Sequence, residues 1–186
     1  MTGQRAATLA RVDAPGLLAV TVLGDDRPGI IADVTSALAG LGCNLEDSTM
    51  TLLRGHFAMV VLVRSERSLD EVSASLRTLT ETGELAVDVR PLPEHGDTGV
   101  PGTAYTLHVH GADRPGIVAA MTNVVARHGG NIVDLGTRLG EEMYVLVAEF
   151  LLPSSRAIDA VEEDLATVAQ EIGVDFHVSV VDDDLL

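Results

Sequence analysis

Apolar and polar positions along the chain switch between two periods, and the switches mark out its elements. Leu17 to Leu23 is a near-continuous apolar run with Thr21 inside it, which predicts a buried strand. Ile30, Val34, Leu38 and Leu41 then recur at helical spacing. Gly40-Leu41-Gly42 stops that helix, with Gly42 suited to a left-handed C-cap. Asn44 to Leu53 and Phe57 to Val63 predict a second and a third strand around an Arg54-Gly55 turn. Ser68 with Glu71 three residues on is a capping box that opens a second helix. Leu69, Val72, Leu76 and Leu79 line its apolar face, Gly83 ends it, and Ala86 to Arg90 is a short last strand.

The second half repeats this order. Its predicted strands are Tyr105 to His110, Asn131 to Leu139, Met143 to Phe150 and Asp175 to Val181, and its helices run from about Gly116 to His128 and from about Ser155 to Ile172. The repetition extends to residues. Gly24-Asp25-Asp26-Arg27-Pro28-Gly29-Ile30 returns as Gly111-Ala112-Asp113-Arg114-Pro115-Gly116-Ile117, an offset of 87 between positions 24 and 111. Ala32/Ala119, Thr35/Thr122, Ala39/Ala126, Gly42/Gly129, Asn44/Asn131 and Asp47/Asp134 match at the same offset. After the third strand the offset becomes 89, which a two-residue insertion near Pro153-Ser154 explains. This is an internal duplication.

Each half therefore reads βαββαβ, an α+β, ferredoxin-like arrangement with a four-stranded antiparallel sheet and two helices on one face. The boundaries expected are a flexible tail over 1–15, a first domain over 16–90, a Pro/Gly-rich linker over 91–103, a second domain over 104–182 and an acidic tail over 183–186. The other sheet face of the first half carries Ala19, Thr21, Leu23, Ala58, Val60 and Leu62, too apolar for bare solvent. That face, or a sheet edge, is expected to pack against a second domain or subunit, so a homodimer is anticipated.

The repeated strand-to-helix turn is where ligand chemistry is expected. Asp26 and Asp113 are suited to cap the helices that follow, and Pro28 and Pro115 to sit in their first turns. Gly29 and Gly116 would let another molecule approach the backbone closely. A helix N-terminus so presented favours a carboxylate or phosphate. A tight turn without a ligand is the plainer alternative, and the carboxylate could be used wholly as a cap.

Composition narrows the field. Hydrophobic residues make up 46% and aromatics 3%, so the cores must be built from Val, Leu, Ala and Ile. A formal net charge of -16 argues against direct nucleic-acid binding, which relies on Lys and Arg against phosphate. A role in transcription would pass through a protein partner. The chain has no Lys, which excludes a P-loop lysine, a Schiff-base lysine and a lysine general base. Cys43 is the single cysteine, so no intrachain disulfide can form. No run approaches membrane-spanning length and the N-terminus has no signal-like apolar core, so the cytoplasm is the expected compartment and no membrane partner is expected.

The strand–Asp-Arg-Pro-Gly-Ile–helix–Gly-x-Asn–strand pattern, present twice in a βαββαβ frame, resembles tandem ACT-domain proteins. By architecture the chain is most similar to the glycine cleavage system transcriptional repressor group. The resemblance spans about residues 16 to 182. It implies a small amino acid, glycine or similar, bound where the first turn of one domain meets the second strand of the other, and no other cofactor. Carried over, the ligand-binding residues are Asp26, Arg27, Pro28, Gly29, Ile30, Asn44 and Leu45, with Asp113, Arg114, Pro115, Gly116, Ile117, Asn131 and Ile132. Serine-sensing ACT domains carry a His two positions before an Asn in this turn. Here Gly24/Gly111 and Asp26/Asp113 hold those positions, against recognition of that type.

Other constellations are weaker. His108, His110 and His177 are expected on one sheet face, where three imidazoles could hold a divalent metal or simply be solvated. Cys43 lies beside the expected ligand site, and Gly130 at its counterpart favours a small turn residue. No catalytic constellation is recognisable. The leading expectation is an amino-acid-responsive regulator acting by protein contact. The alternatives are a ligand-free pairing scaffold and a regulatory piece of an amino-acid or one-carbon enzyme. Formyltetrahydrofolate deformylase resembles the last case, with an ACT domain ahead of a catalytic domain that this chain lacks.

Overall fold

A computed structural model describes residues 16–81, 83–93, 101–140 and 143–181. The expected tails, 1–15 and 183–186, and most of the expected linker lie outside them. The chain divides into two units, residues 1–96 and 97–186. The first is built from β1 (Gly16–Asp25), α1 (Ile30–Gly40), β2 (Asn44–Leu53), β3 (His56–Ser65), α2 (Leu69–Leu76), a 3₁₀ turn (Arg77–Leu79) and β4 (Leu85–Pro91). The second follows with β5 (Gly102–Gly111), α3 (Ile117–Arg127), β6 (Asn131–Leu139), β7 (Tyr144–Pro153), α4 (Ile158–Ile172) and β8 (Val174–Val180). The sheets have the orders β2-β3-β1-β4 and β6-β7-β5-β8, with every neighbouring pair antiparallel. Each unit is thus the ferredoxin-like βαββαβ fold that the periodicity predicts.

Period-two alternation decides which face is buried. In the first unit Leu18, Val20 and Val22 of β1 and Phe57, Met59, Val61 and Val63 of β3 form one core with Ile30, Val34 and Leu38 of α1 and Val72 and Leu76 of α2. The second core has the same plan, with Leu107 and Val109 on β5, Leu146 and Phe150 on β7, Met121 on α3 and Leu165 on α4. Each of these side chains contributes about 1.5–3 kcal/mol by leaving water. Both helices of a unit therefore cover one sheet face. The other stays open, with Leu23 53% and Val60 38% exposed. The outer strands β2 and β6 are exposed along almost their whole length and carry irregularities at Leu45/Asp47 and at Ile132/Asp134.

Helix ends follow backbone hydrogen-bonding needs. At the end of α1 the amides of Gly42 and Cys43 donate to the carbonyls of Ala39 and Leu38, at 2.9 and 3.1 Å, with Gly42 left-handed at φ 74°. This is a Schellman closure, as the Gly42 signal predicts, and Gly129 and Gly130 repeat it after α3 onto Ala126 and Val125. The Ser68/Glu71 capping box forms in both directions. The bonds from the Ser68 backbone and hydroxyl hold the Glu71 carboxyl below its ordinary value of 4.5.

Three boundaries differ from the sequence reading. The helix predicted through Leu79 ends at Leu76 and tightens into the 3₁₀ turn, with left-handed Gly83 lying further along. The helix expected from Ser155 begins at Ile158, because the Arg156 amide donates to the Pro153 carbonyl in a turn first. β5 begins at Gly102, inside the expected linker, since ladder pairing with Pro153 and Leu152 needs no apolar side chain.

Gly24 and Gly111, at the ends of β1 and β5, are set by close approach. A Cβ on Gly24 would lie 2.0 Å from the Glu84 carbonyl oxygen, and one on Gly111 would lie 3.0 Å from Val174. No described helix is long and apolar enough to cross a membrane.

Gly24→Ala is expected to lower unfolding stability by about 1–3 kcal/mol through this overlap. Gly40→Ala, which meets nothing within 4 Å, should leave stability unchanged or raise it by up to about 1 kcal/mol; urea denaturation of both variants checks the contrast. Carboxyl NMR titration should place Glu71 below 4.5 and Ser68→Ala should bring it back up. Because the folded value is the lower one, the stability Glu71 contributes is full above 4.5 and is lost as pH falls through the folded value.

Candidate functional site

At the end of β1 the chain is strapped on two sides. The Asp25 amide donates to the Glu84 carbonyl at 3.2 Å, and the Asp26 amide to the Gly55 carbonyl at 3.0 Å. Gly55 belongs to the two-residue hairpin between β2 and β3, where Arg54 and Gly55 both have positive φ, 52° and 88°, as a type I′ turn requires. The chain then turns through Pro28 and Gly29. Gly29 has φ 93° and ψ -6°, close to the third position of a type II turn, with Pro28 in the position that turn favours before it.

This geometry corrects the reading of the turn. Gly29 and Gly116 are the N-caps of α1 and α3, and neither helix has a side-chain cap. Asp26 and Asp113 lie too early to cap, and Pro28 and Pro115 precede the helices. Glycine is required by backbone conformation, since Gly116 is left-handed at φ 96° with nothing within 4 Å of a built Cβ.

The consequence is chemical. The first-turn amides of α1 lack a side-chain acceptor, and the Asp26 carboxylate makes no hydrogen bond or ion pair among the described residues. A free carboxylate beside open helix amides can take an ammonium and a carboxylate together. The turn lines a concavity of about 460 Å³ with Asp26, Arg27, Gly29, Ile31, Met50 and Phe57. Ile30 also lines this concavity while only 2% exposed and part of the core, and Ile117 is likewise a core residue of the second unit.

The two arginines of the repeat are engaged differently. Arg27 pairs with Asp33 on the first turn of α1 at 2.8 Å, both partly exposed. Arg114 donates to the Ile172 carbonyl at 3.1 Å, at the C-terminus of α4, where a cation is favoured by the helix dipole.

Asn44 and Leu45 do not join the turn of their own unit. Asn44 pairs through Arg64 with Leu17 at the start of β1, while the turn follows Asp25 at its other end. Asn44 lines a separate concavity of about 350 Å³ with Gly42, Arg64 and Glu66. Leu45 is 38% exposed. Asn131 is exposed, and Ile132 packs partly against the core of its own unit. Met50 and Phe57, which do reach the turn, went unmarked in the sequence because each reads as an ordinary strand residue; the link is the hairpin that returns β2 to the end of β1.

Two smaller expectations resolve. Cys43 is 8% exposed, packs in the core after the Schellman closure and donates to the Ser65 hydroxyl at 3.4 Å, away from the turn. His108, His110 and His177 share the open face of the second sheet, with His108 directly opposite His177 and His110 3.8 Å from Asp175. Among the described residues no group of three or more His, Cys, Asp or Glu could hold a metal ion.

Comparison with known proteins bears on both units. The ACT domain family profile matches residues 16–90 and 106–179. The chain is 44% identical over 79 residues to a UPF0237 protein of Methanopyrus kandleri, covering 42% of this chain and 86% of that one. It is 27% identical over 122 residues to the glycine cleavage system transcriptional repressor of Escherichia coli, covering 65% of this chain and 64%, just under two thirds, of the repressor. A solved protein of unknown function from Galdieria sulphuraria superposes with a TM-score of 0.75 at 30% identity, over 90% of this chain and 99% of that one. A structure provisionally assigned as a glycine cleavage system transcriptional repressor does so with a TM-score of 0.71 at 19% identity, over 90% and 98%, a likeness of fold.

If the Asp26 carboxylate caps nothing, Asp26→Ala should change stability by no more than about 0.5 kcal/mol. A loss near the ~1 kcal/mol typical of a removed cap would contradict the geometry. Thermal unfolding followed by far-UV circular dichroism distinguishes the two.

Proposed function

Because the chain belongs to the ACT domain family along both of its units, we propose that it is a small-amino-acid-binding regulatory protein, similar to glycine cleavage system repressors, that acts by protein contact. The observation that carries this reading is the pairing, at one turn, of an unengaged Asp26 carboxylate with helix amides that no side chain caps. A zwitterion of α-amino acid type complements that pair. Pro28 and Gly29 shape the turn, Ile30 anchors it in the core, and Arg27 adds positive charge. Asp113, Arg114, Pro115, Gly116 and Ile117 form the counterpart in the second unit.

In this reading Asn44 and Leu45, or Asn131 and Ile132, would have to reach a ligand from a paired unit, since their own turn lies at the far end of the sheet. The ligand would favour one pairing of units by binding it more tightly than the alternatives, as any population shift requires. A net charge of -16 without a single Lys supports action through a protein partner rather than through DNA, and this reading takes the protein to act in the cytoplasm without catalysis. The exposed apolar residues Leu23 and Val60 favour a second reading, a homodimeric pairing scaffold without ligand.

A thermal-shift screen against the twenty amino acids separates these. Ligand at 100 times its dissociation constant should add about 2.7 kcal/mol, and the shift should vanish in Asp26→Ala. No shift with any amino acid, with a dimer persisting on dilution, would establish the scaffold instead.

A further inference from the structure

The duplication allows the two turns to be compared position by position, and they are not equivalent. In the first unit the concavity beside the turn has an apolar wall. Ile31 and Met50 line it while each is 44% exposed, and Phe57 closes its floor at 2% exposed. Its charged rim is Asp26, unengaged among the described residues, and Arg27, which Asp33 holds beside the opening at 2.8 Å. The guanidinium has five N–H donors, and Asp33 and the Pro28 carbonyl, 3.3 Å away, leave some of them for another acceptor.

At the same offset of 87 the second unit has Val118 for Ile31, Thr137 for Met50, Tyr144 for Phe57 and Ala120 for Asp33. The apolar wall is cut back by a threonine and a shorter valine. The carboxylate that would hold the arginine at the turn is missing. Arg114 instead donates to the Ile172 carbonyl at 3.1 Å. It lies so close over Gly173 that a Cβ there would be 2.9 Å from its Nη1. Arg114 is therefore directed to the end of α4, whereas Arg27 is held at its own turn.

We propose that the turn of the first unit holds the ligand and that of the second does not, and that the ligand is an α-amino acid with an apolar side chain of about leucine or methionine size. This rests on the amino-acid reading above and specifies its site and ligand class. Asp26 takes the ammonium, Arg27 and the first amides of α1 take the carboxylate, and the side chain lies against Ile31 and Met50. Charge complementarity fixes the backbone of the ligand, and the exposed apolar wall selects its side chain. Glycine and serine would satisfy the charges but leave that wall in water. The second turn keeps the same Asp-Arg-Pro-Gly motif as a structural turn, its arginine drawn over Gly173 at the end of α4.

Isothermal titration calorimetry of the full chain with leucine, methionine, glycine and serine tests this, each variant first shown to melt cooperatively. Expected are leucine or methionine binding at one site per chain, at least tenfold tighter than glycine or serine. Met50→Ser should weaken the apolar ligand at least tenfold and leave glycine unaffected. Asp26→Asn should abolish binding, whereas Asp113→Asn should keep it within twofold, and Arg114→Gln, should it fold, likewise. Two sites per chain, equal losses for Asp26→Asn and Asp113→Asn, or glycine as the tightest ligand would overturn the proposal while leaving the amino-acid reading standing. No binding of these four, together with no thermal shift for any of the twenty amino acids, would remove both.

Discussion

The close approach of an outer strand to the end of a central one is the constraint on which each turn depends. β1 lies between β3 and β4, and at Gly24 the backbone of Glu84 and Leu85 comes within contact of the place a side chain would occupy. With that side chain absent, the Asp25 and Asp26 amides reach carbonyls on two different neighbours, Glu84 and Gly55. The turn is thereby fixed by main-chain bonds before any side chain of the motif is engaged. That leaves the Asp26 carboxylate and the helix amides without a structural duty. β5 repeats the arrangement at Gly111 against Val174.

Much of this was legible in the sequence, and the exceptions share a cause. Strand and helix identities follow from periods of two and 3.6 in runs such as Leu17–Leu23 and Ile30–Leu41, and caps at Ser68 and Gly42 announce themselves locally. The capping role assigned to Asp26 failed because a residue type suited to a cap says nothing of where the backbone enters the helix. Left-handed Gly29 moved that entry three residues on. Met50 and Phe57 were invisible as site residues because their place at the turn is created by strand pairing. The resemblance sets Asn44 and Leu45 against the turn of the other unit, and within their own unit the register places them at the far end of the sheet from the turn.

Duplication also shows how identical motifs come to differ. Asp-Arg-Pro-Gly-Ile is conserved between the halves in letter, and both copies make the same backbone turn with Gly29 at φ 93° and Gly116 at φ 96°. The side chains diverge because of residues outside the motif. Asp33 keeps Arg27 at its own helix, and Ala120 releases Arg114 to a carbonyl 58 positions along the chain. The repeated motif makes two equal backbone turns, and residues outside it give them different electrostatics.

The irregular outer strands carry a consequence for how the protein behaves in a crowded solution. β2 and β6 present unpaired edges, which invite runaway strand addition. The interruptions at Leu45/Asp47 and Ile132/Asp134 break each ladder near its start. A foreign strand would find regular backbone partners only over 47–53 or 134–139, and would meet Asp47 or Asp134 at the break. Each edge thus sets a carboxylate and an irregular stretch of backbone against the addition of a foreign strand.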